Sequence, residues 1–293
     1  MHFVNAKTIL NSQEINIYRG CSHGCIYCDS RSKCYQFTHD FEDIEVKQNA
    51  PELLEEALRK KRKRCMIGTG SMCDPYIPAE KELRLTRRCL EIIDKNNFGA
   101  AVLTKSDLLL RDLDILSRIN QKTKAVVQMT LTTADDELCR KIEPGTCTTS
   151  RRFEVLCACR EAGIPTVVWL SPILPFLNDT KENIDGIMNY CVRAGVHAII
   201  CFGIGLTLRE GNREYFYSAL NRIFPPRAGE QSIKERYIKN FGYSYIVSSP
   251  HERELMAYLS KQCSHKRIML GTENIFNWIK EFPQKDPLQQ ELF

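Results

Sequence analysis

Apolar and polar positions alternate between two periods along the first two-thirds of the chain. Mostly apolar runs at 65–70, 99–105, 124–132, 166–173 and 197–205 have the length and composition of buried strands, and 15–19 reads as a shorter strand ahead of them. Between them lie segments whose apolar residues recur every three to four positions: 51–63, 79–95, 106–120, 150–162 and 180–194, with a short helix at 135–142. Leu53, Leu54, Ala57 and Leu58 share one face of the first, and Leu85, Cys89 and Ile92 one face of the second. Ile184, Ile187, Met188, Cys191 and Val192 form the stripe of the last. Pro51 suits a first helical turn, and Ser106 or Asp107 caps the helix at 106–120.

Six strands with helices between them predict right-handed crossovers and a mostly parallel sheet. Six units are too few to close an eight-fold barrel. The predicted fold is therefore α/β, a partial (β/α)6 TIM-like barrel over residues 1–209. Beyond it the pattern turns helical at 212–223, 229–240, 251–261 and 273–281, which predicts a helical C-terminal cap over 210–282. Residues 283–293 read as a flexible tail.

Composition changes this picture little. Of 293 residues, 43% are hydrophobic and 26% charged, as in ordinary globular proteins, which excludes a disordered or fibrous chain. The start lacks the basic and apolar regions of a signal peptide. The longest apolar stretch, 166–177, is broken by Pro172 and Pro175 and is too short to span a bilayer. The expected location is cytoplasmic, with no membrane partner. A net charge of +5 permits phosphate contacts without demanding them. The run 59–64 (RKKRKR) has two readings. One is a solvated helix end, where cations suit the helix dipole. The other is a nucleic-acid contact.

Cysteine usage matters more. Fourteen cysteines in a reducing compartment are free thiols or metal ligands by default. Cys89, Cys157, Cys191 and Cys201 sit in apolar patterns and read as small hydrophobes. Cys21, Cys25 and Cys28 differ: they form C-x3-C-x2-C in GCSHGCIYC, directly after the first strand, and strand ends are where parallel α/β folds build sites. Three thiolates suit a 4Fe–4S cube with one iron left open, whereas an electron-transfer cluster takes four cysteines. The open iron offers a place for the amino and carboxylate groups of a methionine moiety. Zinc would need a fourth ligand, with Cys34 or His23 as candidates, and gives the non-enzymatic reading of a zinc- or cluster-bearing binding module.

With an aromatic residue, Tyr27, before the last cysteine, the motif resembles that of the radical S-adenosylmethionine superfamily. Further segments resemble its spore photoproduct lyase-like family: 16–31 (NIYRGCSHGCIYCDSR), 67–80 (IGTGSMCDPYIPAE), 83–87 (LRLTR), 103–111 (LTKSDLLLR), 142–146 (IEPGT) and 171–179 (SPILPFLND). The resemblance implies a 4Fe–4S cluster and S-adenosyl-L-methionine as cofactors. It also implies reductive cleavage to a 5′-deoxyadenosyl radical, and an external one-electron reductant of flavodoxin or ferredoxin type. It places Tyr27 by the adenine, Ser71 by the methionine moiety and Lys105 within reach of the carboxylate or ribose. Thr130 and Thr132 fall on one face of the fourth strand toward the ribose, and Ser171 ends the fifth. Asp74 is an expected hydrogen-bond acceptor for substrate or ribose.

Two positions depart from the lyase. Ser71 stands where it has its hydrogen-donor cysteine, so Cys73 becomes the donor candidate, and Asp29 stands where it has a tyrosine. Both count against repair of the spore thymine dimer and not against radical chemistry. A nucleic acid or nucleobase-like substrate is the first expectation, with Tyr215, Tyr217 and Tyr237 near Arg213, Arg222 and Arg236 as stacking and phosphate partners. A peptide or small metabolite is the alternative. Cys157 and Cys159, two apart on a helix, do not share a face and give no second cluster.

Overall fold

A computed structural model describes residues 1–226 and 228–283. Its main sheet carries strands β1 (Glu14–Ile15), β2 (Met66–Thr69), β3 (Gly99–Thr104), β4 (Ala125–Thr130), β5 (Thr166–Trp169) and β6 (Ala198–Ile200), side by side in chain order. Every neighbouring pair among them is parallel. Helices α1 (Ala50–Lys60), α2 (Leu85–Lys95), α3 (Leu113–Lys122), α4 (Thr149–Glu161) and α5 (Lys181–Ala194) make the crossovers. The sheet is open, as in a partial TIM-like barrel. Strands β2 and β4 are buried on both faces, which is why they read as unbroken apolar runs.

Strand parity divides the interior. Ala100, Val102, Val127, Val168 and Ile199 face the helices and join the large outer core. Met66, Ala101, Val126, Val167, Ala198 and Ile200 face the barrel axis. The same inward parity carries Lys105, Thr130 and Trp169 toward the C-terminal mouth.

Several expected boundaries move for local reasons. The stretch 15–19 is not one strand: Glu14–Ile15 belongs to the barrel, while Tyr18–Arg19 pairs antiparallel with Glu45–Lys47, itself parallel to His2–Val4. The helix expected at 79–95 breaks at Arg84, whose φ is 52°, into Glu80–Leu83 and α2. Ser106 caps as expected, accepting from the Leu108 N–H at 3.3 Å, but opens a 3-10 turn, Asp107–Asp112, ahead of α3.

The segment after 209 is less purely helical than its pattern predicts. Helices α6 (Asn212–Ile223) and α7 (Ile233–Phe241) are flanked by β7 (Gly205–Thr207) and β8 (Ile246–Ser248), which pair antiparallel. Helix α8 (Glu252–Lys266) then leads into β9 (Met269–Leu270), a seventh parallel strand beside β6. Helix α9 (Glu273–Lys280) seats Ile275 and Ile279 against the inward side chains at the bottom of the barrel. Lys124, at the start of β4, donates to the Trp278 carbonyl, and His197 stacks on the Trp278 ring at 4.0 Å. Helix α9 thus shares a core with the inward side chains of the barrel strands. Of the expected tail 283–293, residues 284–293 lie outside the described residues. Among the described residues no helix is long and apolar enough to cross a membrane.

Ile275 is fully buried in the barrel floor. Ile275→Ala is expected to cost about 2–5 kcal/mol, measured as a lower urea midpoint of one transition for the whole chain. An early, separate transition would mean that α9 folds apart from the barrel.

Candidate active site

The cysteine loop has no regular secondary structure between Arg19 and Asp29, so its polar groups are satisfied from outside. Cys21 N–H donates to the Phe41 carbonyl at 3.0 Å, Ile26 N–H to the Ile142 carbonyl at 2.9 Å, and the His23 carbonyl accepts from Gly145 N–H at 2.8 Å. Gly20 opens the loop at φ +87°, and a Cβ there would lie 2.5 Å from the Phe41 oxygen, so glycine is required. Ile26 and Tyr27 join the core of the α6–α7 insertion, which clamps the loop against the barrel.

All three cysteines line one cavity of ≈ 550 Å³ at the C-terminal ends of the strands. Their sulfurs do not gather within 4.8 Å of one another, the spacing found only at His2, His39 and Glu45 among the described residues. Three thiolates on one tetrahedral zinc, with Zn–S of about 2.3 Å, would sit about 3.8 Å apart. Both candidates for a fourth zinc ligand are engaged elsewhere. Cys34 Sγ is exposed and lies 3.3 Å from Arg209. His23 puts Nδ1 2.8 Å from the Gly145 carbonyl and Nε2 3.3 Å from Asp74 Oδ2.

Asp74 lines the cavity and is held from several sides. Its carboxylate accepts from Thr104 Oγ1 (2.7 Å), Tyr76 N–H (2.8 Å) and Lys105 N–H (2.8 Å), besides facing His23. Burial would raise its carboxyl, but His23 and these donors outweigh that and hold it at about 2. Burial would lower His23, and Asp74 instead holds it up at about 9. These contacts tie the ends of β2 and β3 to the cysteine loop. Cys73 lines the cavity, but its thiol donates to the Gly20 carbonyl at 2.7 Å beneath the loop. Hydrogen bonding with Cys73 brings the Cys21 thiol down to about 6, against the opposing effect of burial.

Behind Tyr27 lies a buried ion pair. The Tyr27 hydroxyl donates to Glu143, whose other oxygen accepts from Arg152 at 2.5 Å, and both charged side chains are fully buried. Burial would raise the Glu143 carboxyl, but Arg152 and then Lys105 hold it below its ordinary value. Arg152 also donates to the Thr130 carbonyl at 2.9 Å. Thr130 lines the cavity; Thr132 does not. Strand β4 ends at Thr130, so alternation no longer applies at Thr132, whose hydroxyl turns 3.4 Å toward Glu143. Ser71, Ser171 and Lys105 line the cavity. Burial would lower the Lys105 ammonium, but Cys25, Glu143 and Asp74 hold it above its ordinary value. Among the described residues its Nζ has no hydrogen-bond or ion-pair partner.

With this geometry in place, comparison with known proteins is decisive. Residues 15–191 match the Radical SAM superfamily. The chain belongs to that superfamily. This radical SAM enzyme is 32% identical over 232 residues to an uncharacterized protein of Mycobacterium tuberculosis, across 75% of this chain and 66% of the relative. It is 34% identical over 169 residues to one of Methanocaldococcus jannaschii, across 57% of this chain and 62% of the relative. It thus spans under two-thirds of the length of these relatives. Its fold is similar to that of spore photoproduct lyase complexed with dinucleoside spore photoproduct, with a TM-score of 0.64 and 14% identity, covering 92% of this chain and 80% of that one. It is also similar to Streptococcus suis SuiB bound to S-adenosylmethionine, with a TM-score of 0.52 and 12% identity, covering 89% of this chain and 49% of that one.

Other residues in and around the cavity have a weaker signature in the sequence. Glu143 lies in the segment IEPGT, where a buried acid beside Pro-Gly was the available signal. Trp169 pairs in register with Thr130, and its Nε1 donates to Gln128 at 2.9 Å, so strand parity from Thr130 would have found it. Ile246, Val247 and Ser248 bring β8 to the cavity wall from far along the chain, and no local pattern announces that.

Removing Arg152 alone would strand a buried carboxylate. Arg152→Met is expected to destabilise the protein by about 3–5 kcal/mol. The double variant Glu143→Leu, Arg152→Met should recover most of that in urea unfolding. Equal losses in the single and double variants would show that the pair does not act as a unit.

Proposed function

We propose that Cys21, Cys25 and Cys28 hold a 4Fe–4S cluster and that the adjoining cavity binds S-adenosyl-L-methionine, for radical chemistry on a nucleic acid or nucleobase-like substrate. The observation that carries the cofactor reading is the set of three thiols, spread over one loop and facing one cavity, with a single unpaired cation beside them. Such a cluster, fed by an external one-electron reductant of flavodoxin or ferredoxin type, supplies reductive cleavage of the sulfonium to a 5′-deoxyadenosyl radical.

The chain's own residues divide the remaining work. Lys105, free and half-buried, is suited to a ligand carboxylate. Ser71, Thr130 and Ser171 offer small polar groups on strand ends. Tyr27, its hydroxyl fixed by Glu143, presents a ring of settled orientation. Asp74 and His23 act as positioning residues, and Cys73 remains the hydrogen-donor candidate. The cavity volume lies in the range that suits a drug-sized ligand.

Support for the substrate class comes from the mouth of the cavity. Phe202 and Tyr245 are 59% and 45% exposed there, and Arg209 donates to the Tyr245 hydroxyl at 2.9 Å, an arrangement suited to base stacking. The basic run supports it less. Arg59 and Lys60 pair with Glu55 and Glu56, and residues 61–64 lead into the N-terminal end of β2, opposite the cavity. The expected tyrosines are likewise engaged: Tyr237 is buried core, Tyr217 donates to the Gly242 carbonyl at 3.0 Å, and Arg31 covers Tyr215 at 3.7 Å. Spore photoproduct lyase has been seen with a dinucleoside photoproduct, which favours the same class. Asp29 and Glu252 line the cavity as well and favour the competing class, a peptide or small metabolite without phosphates.

Anaerobic reconstitution should give about four irons and four sulfides per chain and cleavage of S-adenosylmethionine under dithionite. Cys21→Ala, Cys25→Ala and Cys28→Ala should each abolish that cleavage; a variant that still cleaves would overturn the cluster assignment. Lys105→Ala should keep its iron and bind S-adenosylmethionine roughly 10- to 100-fold more weakly, the loss of one charge-assisted contact. Deuterium transfer into 5′-deoxyadenosine from a labelled oligonucleotide, and not from labelled peptides, is the expected substrate result. The reverse pattern would move the enzyme to the second class.

A further inference from the structure

On the N-terminal sheet, away from the cysteines, two imidazoles and a carboxylate converge. His2 leads the strand His2–Val4, Glu45 leads the strand Glu45–Lys47, and His39 lies on the loop between the cysteine segment and that second strand. One ligand atom from each lies within 4.8 Å of the other two. The imidazole rings meet edge to face at 4.8 Å. The surrounding segment 39–45, HDFEDIE, holds four acidic residues in seven, a local excess of negative charge.

Each imidazole is already held by its inner nitrogen. His2 Nδ1 lies 3.0 Å from Asp43 Oδ2, and His39 Nδ1 lies 2.9 Å from the Asp40 carbonyl. This is the arrangement in which a second partner fixes the tautomer and leaves Nε2 as the metal-binding lone pair. His39 Nε2 is buried, makes no hydrogen bond, and lies 3.9 Å from Glu45 Oε2. A buried ring nitrogen without a hydrogen-bond partner is uncommon, and a bound ion is one way to satisfy it. Arg19 Nη1 stands 4.0 Å from the same Glu45 oxygen, while Nη2 donates to the Tyr35 and Gln36 carbonyls. Arg19 is thus anchored on the backbone, and the carboxylate has two oxygens to share.

We infer that His2, His39 and Glu45 bind a divalent transition-metal ion, of which zinc(II) is the natural choice, with Asp43 orienting His2. Two imidazoles and one carboxylate are a known zinc ligand set that leaves one position for water. At Zn–ligand distances of about 2.0–2.1 Å the three donor atoms would stand about 3.4 Å apart. Side-chain rotations that close them by roughly an ångström suffice. The ion would cross-link the first strand, the 39–45 segment and the strand Glu45–Lys47. That segment includes Phe41, whose carbonyl receives the Cys21 N–H. The ion would tie these N-terminal segments to one another, and the proposal stands independently of the cofactor reading.

The test uses untagged, full-length protein with its iron–sulfur cluster reconstituted, so that zinc does not enter the cysteine site. Zinc titrated against a chromophoric chelator should give one tight site per chain, and X-ray absorption at the zinc edge should show nitrogen and oxygen ligands only. His39→Ala and Glu45→Gln should weaken binding at least tenfold. Asp43→Asn, which removes no ligand, should weaken it roughly 10- to 100-fold. Iron content should stay at the wild-type level in all three. Zinc bound through sulfur, affinity unchanged in a His2→Gln, His39→Gln double variant, or no zinc retained by the wild type would each overturn the site. The conservative glutamine changes and the iron content guard against a variant that merely misfolds.

Discussion

The structure is organised around one constraint: an irregular loop must hold three thiols toward one cavity without help from helix or strand hydrogen bonds. Such a loop loses much conformational entropy on folding and leaves its own amides unanswered. The protein meets this from three sides. The N-terminal sheet supplies the Phe41 carbonyl for Cys21. The segment after β4 supplies Ile142 and Gly145, and the turn after β2 supplies Cys73 and Asp74. Parts of the chain that share no sequence pattern are thus bound to the same few ångströms of backbone.

Two buried charge pairs do the orienting. His23 with Asp74 and Arg152 with Glu143 flank the loop, and each is surrounded by further donors or acceptors. Desolvating such pairs costs about as much as their attraction returns, so their gain is fixed geometry and not added stability. Lys105 is the exception, a cation with its ammonium uncommitted beside two such pairs. Among the described residues the ammonium is left free for a ligand group that carries the opposite charge in that place.

Much of this was legible in the sequence. The barrel strands stood out because β2 and β4 are covered on both faces and so contain unbroken apolar runs. The cysteine loop stood out because its spacing has few physical uses. Strand parity found Thr130 and failed at Thr132, where the strand had already ended. Asp74 looked free because its partners come from 31 residues downstream and from the loop itself. Strands β8 and β9 span three and two residues, too short for any periodicity to appear. The basic run was visible, but its side of the barrel was not, since that depends on the direction of the strand it precedes.

The last elements of the chain, β9 and α9, complete the barrel that the earlier ones begin. The region shared with the superfamily ends at residue 191, before β6 begins. A fragment cut there would leave β5 as a raw edge, with the inward faces of Val126 and Val167 lacking the floor that α9 provides. Open strand edges next to bare apolar surface recruit other chains. The residues after 191 therefore complete both the sheet edge and the floor of the region shared with the superfamily.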